Sequence, residues 1–387
     1  DCPSGLCLDS GAFLGQARQP GGPELRARLT VAFDSPKPGH LLERGPGCCG
    51  ELVIADIGLH DWRVRQPDRS SCIRPASLTA IHPEFGIADS RRHADEGRKC
   101  AAWLAKRGDN SGHKFSHGHA LILAGGIGQG GAARLAARAA LRIGAGLVTI
   151  CPPKSALIEH AGPPDALMRR GVDDADALVA ALQDQRISGL CLGPGCGLER
   201  AAALLPVLLA SGRLCVLDAD ALTALAARGF QGLHGNCVLT PHAGEFARLF
   251  PDLTARLGAQ PDQGPAYSRL DAARDAAARC GATVLLKGPG TVIAEPPPRD
   301  RPDRPGRAVI HSAFDIPWLA TAGAGDVLAG LIAGLLARGL PGLDAAATGA
   351  LIHARAARRF GPGLIADDLP EQIPGVFRDM ELSASGR

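Results

Sequence analysis

Short apolar runs alternate with longer alanine-rich stretches along the chain from about residue 110 onward. Most of these runs are followed at once by Gly or Asp and then by a stretch whose composition favours helix. Continuous apolar runs that are separated by helices are typical of parallel strands buried on both faces. The predicted strands cover residues 120–124, 147–150, 189–192, 214–217, 237–239 and 283–286.

This alternation predicts an α/β fold, in which a mostly parallel sheet is flanked by helices on both faces. In sheets of this kind, ligands bind beside the carboxyl ends of the strands. The loops that directly follow the predicted strands are therefore expected to carry the chemistry.

The part of the chain before residue 110 has a different pattern. Its two predicted strands, 29–33 and 51–55, are separated by a Pro- and Gly-rich loop, and two strands of this length do not form a stable sheet alone. The sequence between them and residue 110 is polar, irregular and interrupted by prolines, as in a linker. We therefore predict an N-terminal piece, a linker and a large domain, at residues 1–60, 61–109 and 110–380.

Composition and charge narrow the class of protein. The 387 residues are 45% hydrophobic but only 4% aromatic, so the core is built from small aliphatic side chains. The 42 basic and 39 acidic residues are spread along the chain, which argues against nucleic acid or an anionic membrane as a partner. No apolar run reaches the roughly 20 residues that span a bilayer, and no secretory signal is visible. The 12 cysteines lack zinc-site spacing, so we expect reduced thiols in a cytoplasmic protein.

The segment Leu319–Asp326 carries the first candidate site, because it ends in small residues at the start of an apolar helix. Gly323, Ala324 and Gly325 would let backbone amides approach an anion, and the positive end of the helix would point at the same place. Asp326 would then lie where a carboxylate can accept a proton from a substrate hydroxyl. The alternative is that Asp326 only caps the helix and the glycines only form a turn.

Two further loops contain polar residues at strand ends. Lys287 follows the strand 283–286 and precedes Gly288–Thr291, which suits nucleotide phosphates, although an exposed lysine in a turn would look the same. After the strand 237–239, Thr240, His242 and Glu245 lie at a predicted helix start. His242 would contact a ligand or pack in the loop, and Glu245 would serve the site or favour the helix N-terminus.

The remaining loops are rich in glycine or aspartate. Gly193–Gly197 follows one predicted strand, and Asp218 and Asp220 follow the next. The two aspartates would hold a metal or polarise a substrate group, or Asp220 would cap the following helix. The glycines between Gly125 and Ala132 lack the spacing of a Rossmann dinucleotide site.

Taken in order, these motifs resemble the NAD(P)H-hydrate dehydratase family, which belongs to the ribokinase-like superfamily. The resemblance covers about residues 110–370, and its most discriminating part is the pairing of Thr-Pro-His-Ala-Gly-Glu with Gly-Ala-Gly-Asp. The motifs are His113–His119, the Gly-Gly loop with its alanine helix, Gly193–Gly195, Asp218–Leu222, Thr240–Glu245, Lys287–Thr291 and Ala320–Asp326.

The resemblance implies a ribokinase-like fold and a reaction in metabolite repair. In that reaction ADP, or ATP, phosphorylates the ring hydroxyl of the (6S) hydrate of NADH or NADPH, and loss of phosphate restores the reduced nucleotide. Mg²⁺ would bridge the nucleotide phosphates. Asp326 would be the base, and the substrate would face Ala132, Gly195, His242 and Asp326. The adenine nucleotide would bind Lys287, Gly288, Pro289, Gly290, Thr291, Gly323, Ala324 and Gly325.

The sequence departs from the family pattern just before the proposed anion hole. Many members have an Asn- and Gly-rich stretch where this chain has His311–Asp315, which affects the expected shape of the nucleotide lid. Pro289 also stands where a smaller residue is usual, so one backbone donor is lost there.

The N-terminal piece resembles the closing third of NAD(P)H-hydrate epimerase, which is fused to the dehydratase in many bacteria. The resemblance implies that Asp1 touches the hydrate and that Ser4 binds potassium. The first strands and the Asn/Gly/Asp-rich loop of that site are not in this sequence, so we predict no epimerase activity and an N-terminal segment that is poorly ordered or loosely docked.

Two alternatives to the dehydratase remain open at this stage. A small-molecule kinase of the same superfamily, such as a hydroxymethylpyrimidine or thiazole kinase, would use the same Asp326 but release a phosphorylated product. A catalytically inactive remnant would bind nucleotide without turnover. In each case the partners are small molecules, and we expect a homo-oligomer.

Overall fold

The apolar runs form a ten-stranded sheet in the computed structural model, which describes residues 2–15, 25–59, 78–81, 104–106, 112–259 and 262–380. The strands of this sheet are β3 (Leu78–Ile81), β4 (His119–Leu123), β5 (Leu147–Cys151), β6 (Met168–Arg169), β7 (Ile187–Leu192), β8 (Leu214–Leu217), β9 (Cys237–Leu239), β10 (Thr283–Leu286), β11 (Gly290–Ala294) and β12 (Ala308–Ser312).

Their spatial order is β3-β12-β11-β10-β9-β8-β7-β4-β5-β6. All neighbours run parallel except that β11 is antiparallel to both β10 and β12. The predicted mostly parallel sheet is therefore confirmed. The six strands predicted for this sheet are all present; three have the predicted ends, and the ends of the other three differ from the prediction by one or two residues.

Helices cover both faces of the sheet, as predicted. Alternate residues of the central strands belong to two core clusters, so that Ile122 faces one cluster and Leu121 the other. The helices of the large domain are α3 (Gly130–Arg142), α4 (Ala175–Ala181), α5 (Leu198–Ala210), α6 (Asp220–Arg228), α7 (Ala243–Leu249), α8 (Pro251–Gly258), α9 (Arg269–Cys280), α10 (Ala324–Ala337), α11 (Gly342–Phe360) and α12 (Asp368–Asp379), with short 3₁₀ helices at Lys114–His117, Lys154–His160 and Pro317–Leu319.

A close helix contact in the large domain joins α3 to α10 and needs glycine. A Cβ atom at Gly330 would lie only 2.1 Å from the carbonyl oxygen of Ala136. The small residues of these two helices therefore let the backbones approach closely, as the alanine-rich composition suggested. This contact fixes the direction in which the start of α10 points.

The N-terminal piece forms a small parallel pair, β1 (Leu29–Phe33) and β2 (Glu51–Ala55), with two short helices, α1 (Pro38–Leu41) and α2 (Gly45–Cys49). The expectation of a loosely docked segment is wrong for the region around Leu42. This side chain is fully buried and belongs to the same core cluster as the sheet. Burial of a leucine contributes about 2 kcal/mol, which is enough to hold a short turn in place.

The segment predicted as a linker is not entirely irregular. Its residues 78–81 form β3, which pairs in parallel with β12 at the edge of the sheet. Leu104 is buried in the core cluster of the large domain, and its carbonyl oxygen accepts a hydrogen bond from Arg338 Nη2 at 3.0 Å. The boundaries at 1–60, 61–109 and 110–380 stay predictions.

No helix in the described ranges is long and apolar enough to cross a membrane. The ten cysteines that lie in these ranges are free thiols, nine of them buried.

Candidate functional site

The site begins where the strand order reverses. From β4 the chain proceeds through β5 and β6 to one edge of the sheet, whereas β7 is the neighbour of β4 on the other side and starts the path to the opposite edge. Loops that follow such a pair of strands diverge and leave a crevice, which is where α/β sheets bind ligands. The loops after β4 and β7 touch here, because a Cβ atom at Gly125 would lie 2.0 Å from the carbonyl oxygen of Gly195.

Two predicted substrate residues meet in this crevice. A Cβ atom at Gly195 would lie 3.2 Å from that of Ala132, and the φ of Gly195 is +57°, a conformation that favours glycine. Gly195 therefore lies in the crevice, next to the first turn of α3.

The start of α10 lies at the same end of the parallel strands as this crevice. Gly323 is the N-cap residue, with φ +89°, and no side chain caps the helix. The amide of Ala324 donates to the carbonyl oxygen of Thr321 at 3.4 Å. The next amides of a helix start have no partner within the helix, so the N–H groups of Gly325 and Asp326 and the helix dipole are available for an anion. The alternative in which Asp326 caps the helix does not hold, since Asp326 lies inside the first turn and does not accept a capping bond.

Asp326 has an unusual acidity. Burial raises the pKa of its carboxyl group to about 6, the nearby carboxylate of Asp218 adds to the rise, and Lys287 opposes it. A carboxylate whose pKa lies close to neutrality can accept a proton from a substrate and release it again.

Lys287 stands between the carboxylates. Its Nζ lies 2.7 Å from Asp218 Oδ1 and 3.8 Å from Glu245 Oε2, and a Cβ atom at Gly325 would lie 3.4 Å from the same nitrogen. Burial favours the neutral amine, but Asp218, Glu245 and Asp326 outweigh it and raise the pKa of Lys287. The lysine is thus a fixed positive charge beside the start of α10, not an exposed lysine in a turn.

The loop after Lys287 is held by hydrogen bonds within the loop and from the segment after β12. Thr291 Oγ1 donates to the carbonyl oxygen of Gly288 at 2.7 Å, and the amide of Ala313 donates to the carbonyl oxygen of Pro289 at 2.8 Å. The predicted nucleotide segment is therefore a tight turn that leads directly into β11.

His242 and Glu245 form a reciprocal cap at the start of α7. His242 Nδ1 accepts hydrogen bonds from the amides of Gly244 and Glu245, at 3.0 and 3.3 Å, and Glu245 Oε2 accepts one from the amide of His242 at 2.8 Å. Much of the His242 ring is exposed, and its Nε2 lies 3.6 Å from Glu245 Oε1. The capping role and a ligand-facing ring are thus compatible in His242.

The two aspartates after β8 have separate partners. Asp218 pairs with Lys287, whereas Asp220 Oδ2 accepts a hydrogen bond from the amide of Gly197 at 2.8 Å. Ala219 between them has φ +46° and ψ −115°, a conformation that is strained for any residue with a Cβ. This backbone conformation directs the two carboxylates toward different loops.

The predicted site residues of the N-terminal piece and the segment His311–Asp315 have separate outcomes. Asp1 lies outside the described residues, and Ser4 is exposed on the N-terminal piece. The segment His311–Asp315 is the end of β12 and an anchored turn, since Asp315 Oδ2 accepts from Arg358 Nε at 2.8 Å. Sequence reasoning missed Arg269, a partly buried arginine that contacts the turn Lys287–Thr291, because an arginine in an alanine-rich helix carries no distinguishing signal.

Comparison with known proteins shows to which family the chain belongs. The model of NAD(P)H-hydrate dehydratase matches residues 120–373, which is more than half of the chain. This chain belongs to the NAD(P)H-hydrate dehydratase family. The match begins at β4 and ends in α12, so it includes every loop of the crevice and excludes the N-terminal piece.

Relatives of this dehydratase extend over the N-terminal piece as well. The bifunctional NAD(P)H-hydrate repair enzyme of Moorella thermoacetica is 36% identical over 406 residues, which cover 98% of this chain and 66% of the relative. The enzyme of the same name from Coxiella burnetii is 34% identical over 95% of this chain and 67% of its own length. The chain thus spans about two thirds of the length of these relatives.

Solved structures confirm the ribokinase-like fold. The ADP/ATP-dependent NAD(P)H-hydrate dehydratase of Bacillus subtilis, co-crystallised with ATP and Mg²⁺, superposes with a TM-score of 0.60 at 27% identity, over 73% of this chain and 97% of that one. A ribokinase-like superfamily protein of Enterococcus faecalis has a TM-score of 0.63 at 20% identity, over 80% of this chain and 98% of that one.

Proposed function

We propose that this chain catalyses the ADP- or ATP-dependent dehydration of NAD(P)H hydrate to NADH or NADPH. The observation that carries the proposal is the Asp326 carboxyl, whose pKa is raised to about 6, in the first turn of an uncapped helix. Family membership and the Bacillus subtilis relative, which binds ATP and Mg²⁺, support the same reaction.

In this proposal Asp326, the start of α10 and Lys287 have different roles in the reaction. Ionised Asp326 accepts the proton of the ring hydroxyl while the hydroxyl oxygen attacks the terminal phosphorus of the nucleotide, and the shortened nucleotide leaves. The amides at the start of α10 stabilise the charge on the phosphoryl oxygens. Lys287 holds Asp218 and limits the negative charge of the site. The phosphate then leaves with a ring proton, which restores the double bond.

Magnesium fits this site only together with the nucleotide. The described residues contain no group of three or more His, Cys, Asp or Glu side chains that could hold a metal ion by themselves. Mg²⁺ usually keeps several waters and binds through one or two carboxylates and substrate phosphates. We propose that Asp220 and Glu245, which both help to raise the pKa of Asp326, supply those carboxylates. Potassium at Ser4 stays a prediction.

The nucleoside would lie in a cleft beside the start of α10. This cleft has a volume of about 390 Å³, and Trp318 and Ile365 on its wall are 47% and 55% exposed. Exposed apolar side chains next to an anion-binding helix suit a base attached to phosphates. Its lining residues are Pro317, Trp318, Ala320, Thr321, Gly363, Leu364 and Ile365.

The experiment that tests the proposal replaces the base. Asp326→Asn removes the proton acceptor but keeps the size of the side chain, so turnover with hydrated NADH should fall roughly 100-fold or more. Nucleotide affinity should stay close to that of the wild type, as measured by calorimetry. Turnover is followed as the return of absorbance in the reduced nicotinamide band.

Asp344→Asn is the matched control for this variant. Asp344 also has a carboxyl group whose pKa is raised by burial. It pairs, however, with Arg307, which lies at the opposite end of the strands from the crevice. Its replacement should leave turnover unchanged. Normal turnover of Asp326→Asn would show that another residue is the base.

Product analysis separates the dehydratase from its alternatives. A kinase would accumulate a stable phosphorylated product, and an inactive remnant would bind nucleotide with no turnover. The dehydratase releases inorganic phosphate in the same amount as NADH. The homo-oligomer expected from the sequence is tested by sedimentation of the same preparation.

A further inference from the structure

Arg269 reaches from the first residue of α9 into the nucleotide turn. Its side chain is only 16% exposed. Its Nη2 donates to the carbonyl oxygens of Lys287 and Leu286 at 3.0 and 3.3 Å, and its Nε donates to that of Gly290 at 3.2 Å. One guanidinium therefore spans both ends of the turn that follows β10.

The bonds from Arg269, together with two others, give each carbonyl oxygen of the turn a hydrogen-bond donor. The carbonyl oxygen of Gly288 accepts from Thr291 Oγ1, and that of Pro289 accepts from the amide of Ala313. All carbonyl oxygens from Leu286 to Gly290 therefore have a donor from within the protein, and Arg269 supplies the donors for three of them. Since a buried carbonyl without a partner is costly, the hydrogen bonds from Arg269 stabilise this shape of the turn.

The N-terminal piece contacts the same turn and Arg269. A Cβ atom at Gly290 would lie 3.2 Å from Leu42 Cδ2 and 3.5 Å from the carbonyl oxygen of Leu41. Glu43 Oε1 lies 3.7 Å from Arg269 Nε. The segment Leu41–Glu43 thus packs on the turn and places an opposite charge beside the guanidinium.

We propose that Arg269 is a positioning residue for the nucleotide turn Lys287–Thr291, and that the segment Leu41–Glu43 supports it. The inference rests on the proposed function, because it assumes that this turn binds the adenine nucleotide. A turn that is already ordered loses less conformational entropy when the nucleotide binds. The epimerase-like N-terminal piece therefore contributes to the nucleotide affinity of the dehydratase domain without touching the nucleotide.

The first test compares two arginines of the same helix. Arg269→Gln should raise the Kd for ATP and ADP roughly tenfold to a hundredfold, since several charge-assisted hydrogen bonds are lost. The kcat at saturating nucleotide should stay within about threefold of the wild-type value, because Asp326 is not displaced. Arg279→Gln removes an exposed ion pair with Asp252, 2.7 Å long, and should change neither constant.

Arg269→Lys guards against a variant that merely folds badly. Lysine keeps the charge but presents a single nitrogen, which cannot span the carbonyl oxygens at both ends of the turn. It should therefore rescue thermal stability more fully than nucleotide affinity. A purely structural role would instead lower the Tm of both variants and leave the Kd unchanged.

The second test addresses the N-terminal piece. Leu42→Ala should raise the nucleotide Kd by roughly fivefold to tenfold, because the turn loses its cover. Leu6→Ala, at another buried leucine of the same piece, should cost stability without changing the Kd.

The outcomes separate this inference from the function on which it rests. Failure of the wild-type protein to bind either nucleotide would contradict the proposed function. Wild-type turnover together with an unchanged Kd in folded Arg269→Gln would overturn only the role of Arg269. Equal effects of Leu6→Ala and Leu42→Ala on the Kd would overturn the role of Leu41–Glu43.

Discussion

At the scale of single residues, the chemistry depends on how a few charges are placed. Asp326, Asp218 and Lys287 come from three distant parts of the sequence and meet within one crevice. Burial and the neighbouring carboxylates raise the pKa of the half-buried carboxyl at the helix start, and the ammonium group of Lys287 offsets only part of that rise. This imbalance is what prepares Asp326 to act as a base.

The pH dependence of the reaction should reveal this imbalance. Asp326 must be ionised to accept a proton, so kcat/KM should fall as the pH drops through about 6. Asp218→Asn removes a carboxylate that raises the pKa of Asp326 and frees Lys287 to lower it, so the acidic limb should move to lower pH. The measurement is a pH profile of kcat/KM for each protein.

The same profile for Asp344→Asn provides the reference, since that carboxyl lies away from the crevice. Its acidic limb should coincide with that of the wild type. An Asp218→Asn profile that did not move would contradict the coupling between Asp218 and Asp326.

Backbone strain at Ala219 gives a second prediction at this scale. Its φ of +46° is unfavourable for alanine but open to glycine, so Ala219→Gly should raise the free energy of unfolding by about 1 kcal/mol. Ala221→Gly, two residues later inside α6, should lower it by about 1 kcal/mol. Urea unfolding of the two variants measures both changes, and equal signs would refute the strain.

The sequence identifies some of these residues and not others. Lys287 stands out because it follows an apolar run and precedes glycines, and Asp326 because it follows small residues and precedes an apolar helix. Arg269 does not, because α9 also contains Arg274 and Arg279 and nothing in the sequence tells which of them turns inward. Its role depends on contacts between parts of the chain that only the folded structure brings together.

At the scale of elements, the buried parallel strands are predictable and the antiparallel part is not. Strands β4, β5 and β7–β10 are short apolar runs that stand between helices, which is a strong local signal. Strand β11 begins inside a Gly-rich turn, and β12 pairs with it across the segment 295–307. No helix separates β10, β11 and β12, so the alternation of strands and helices that marks the other strands is missing here. The sequence pattern therefore favours a loop.

The contact between α3 and α10 gives a prediction about these elements. Gly330→Ala would place a methyl group 2.1 Å from the carbonyl oxygen of Ala136, so the helices must separate. The variant should lose roughly 1–3 kcal/mol of stability. It should also weaken nucleotide binding, because the start of α10 moves with its helix.

Gly131→Ala is the control for this variant. Gly131 lies in the first turn of α3, and a Cβ atom there would have no neighbour within 4 Å. The change should be neutral or stabilise by up to about 1 kcal/mol. Thermal unfolding separates the two variants, and a stable Gly330→Ala would show that the helix contact tolerates a larger residue.

At the scale of the whole molecule, the N-terminal piece contributes side chains to the core of the large domain. Leu41 and Leu42 are buried among the residues of the sheet, although they belong to a part of the chain that the sequence pattern separates from it. The sequence could not show this docking, because two leucines in a Pro- and Gly-rich segment have no periodicity. The contact couples a piece that resembles one enzyme to the nucleotide turn of another.

Hydrogen exchange should show that this coupling is local to the turn. Leu29, Val31 and Phe33 of β1 are 54%, 39% and 54% exposed, so the pair β1–β2 buries little and should open at a small free energy. The amides around Leu42 should instead exchange as slowly as those of β10, because they open only when the core does. Leu42→Ala should remove that protection and leave the exchange of β1–β2 unchanged. Uniformly fast exchange throughout the N-terminal piece would mean that Leu42 does not dock in solution, and the support of the nucleotide turn would then have to come from Arg269 alone.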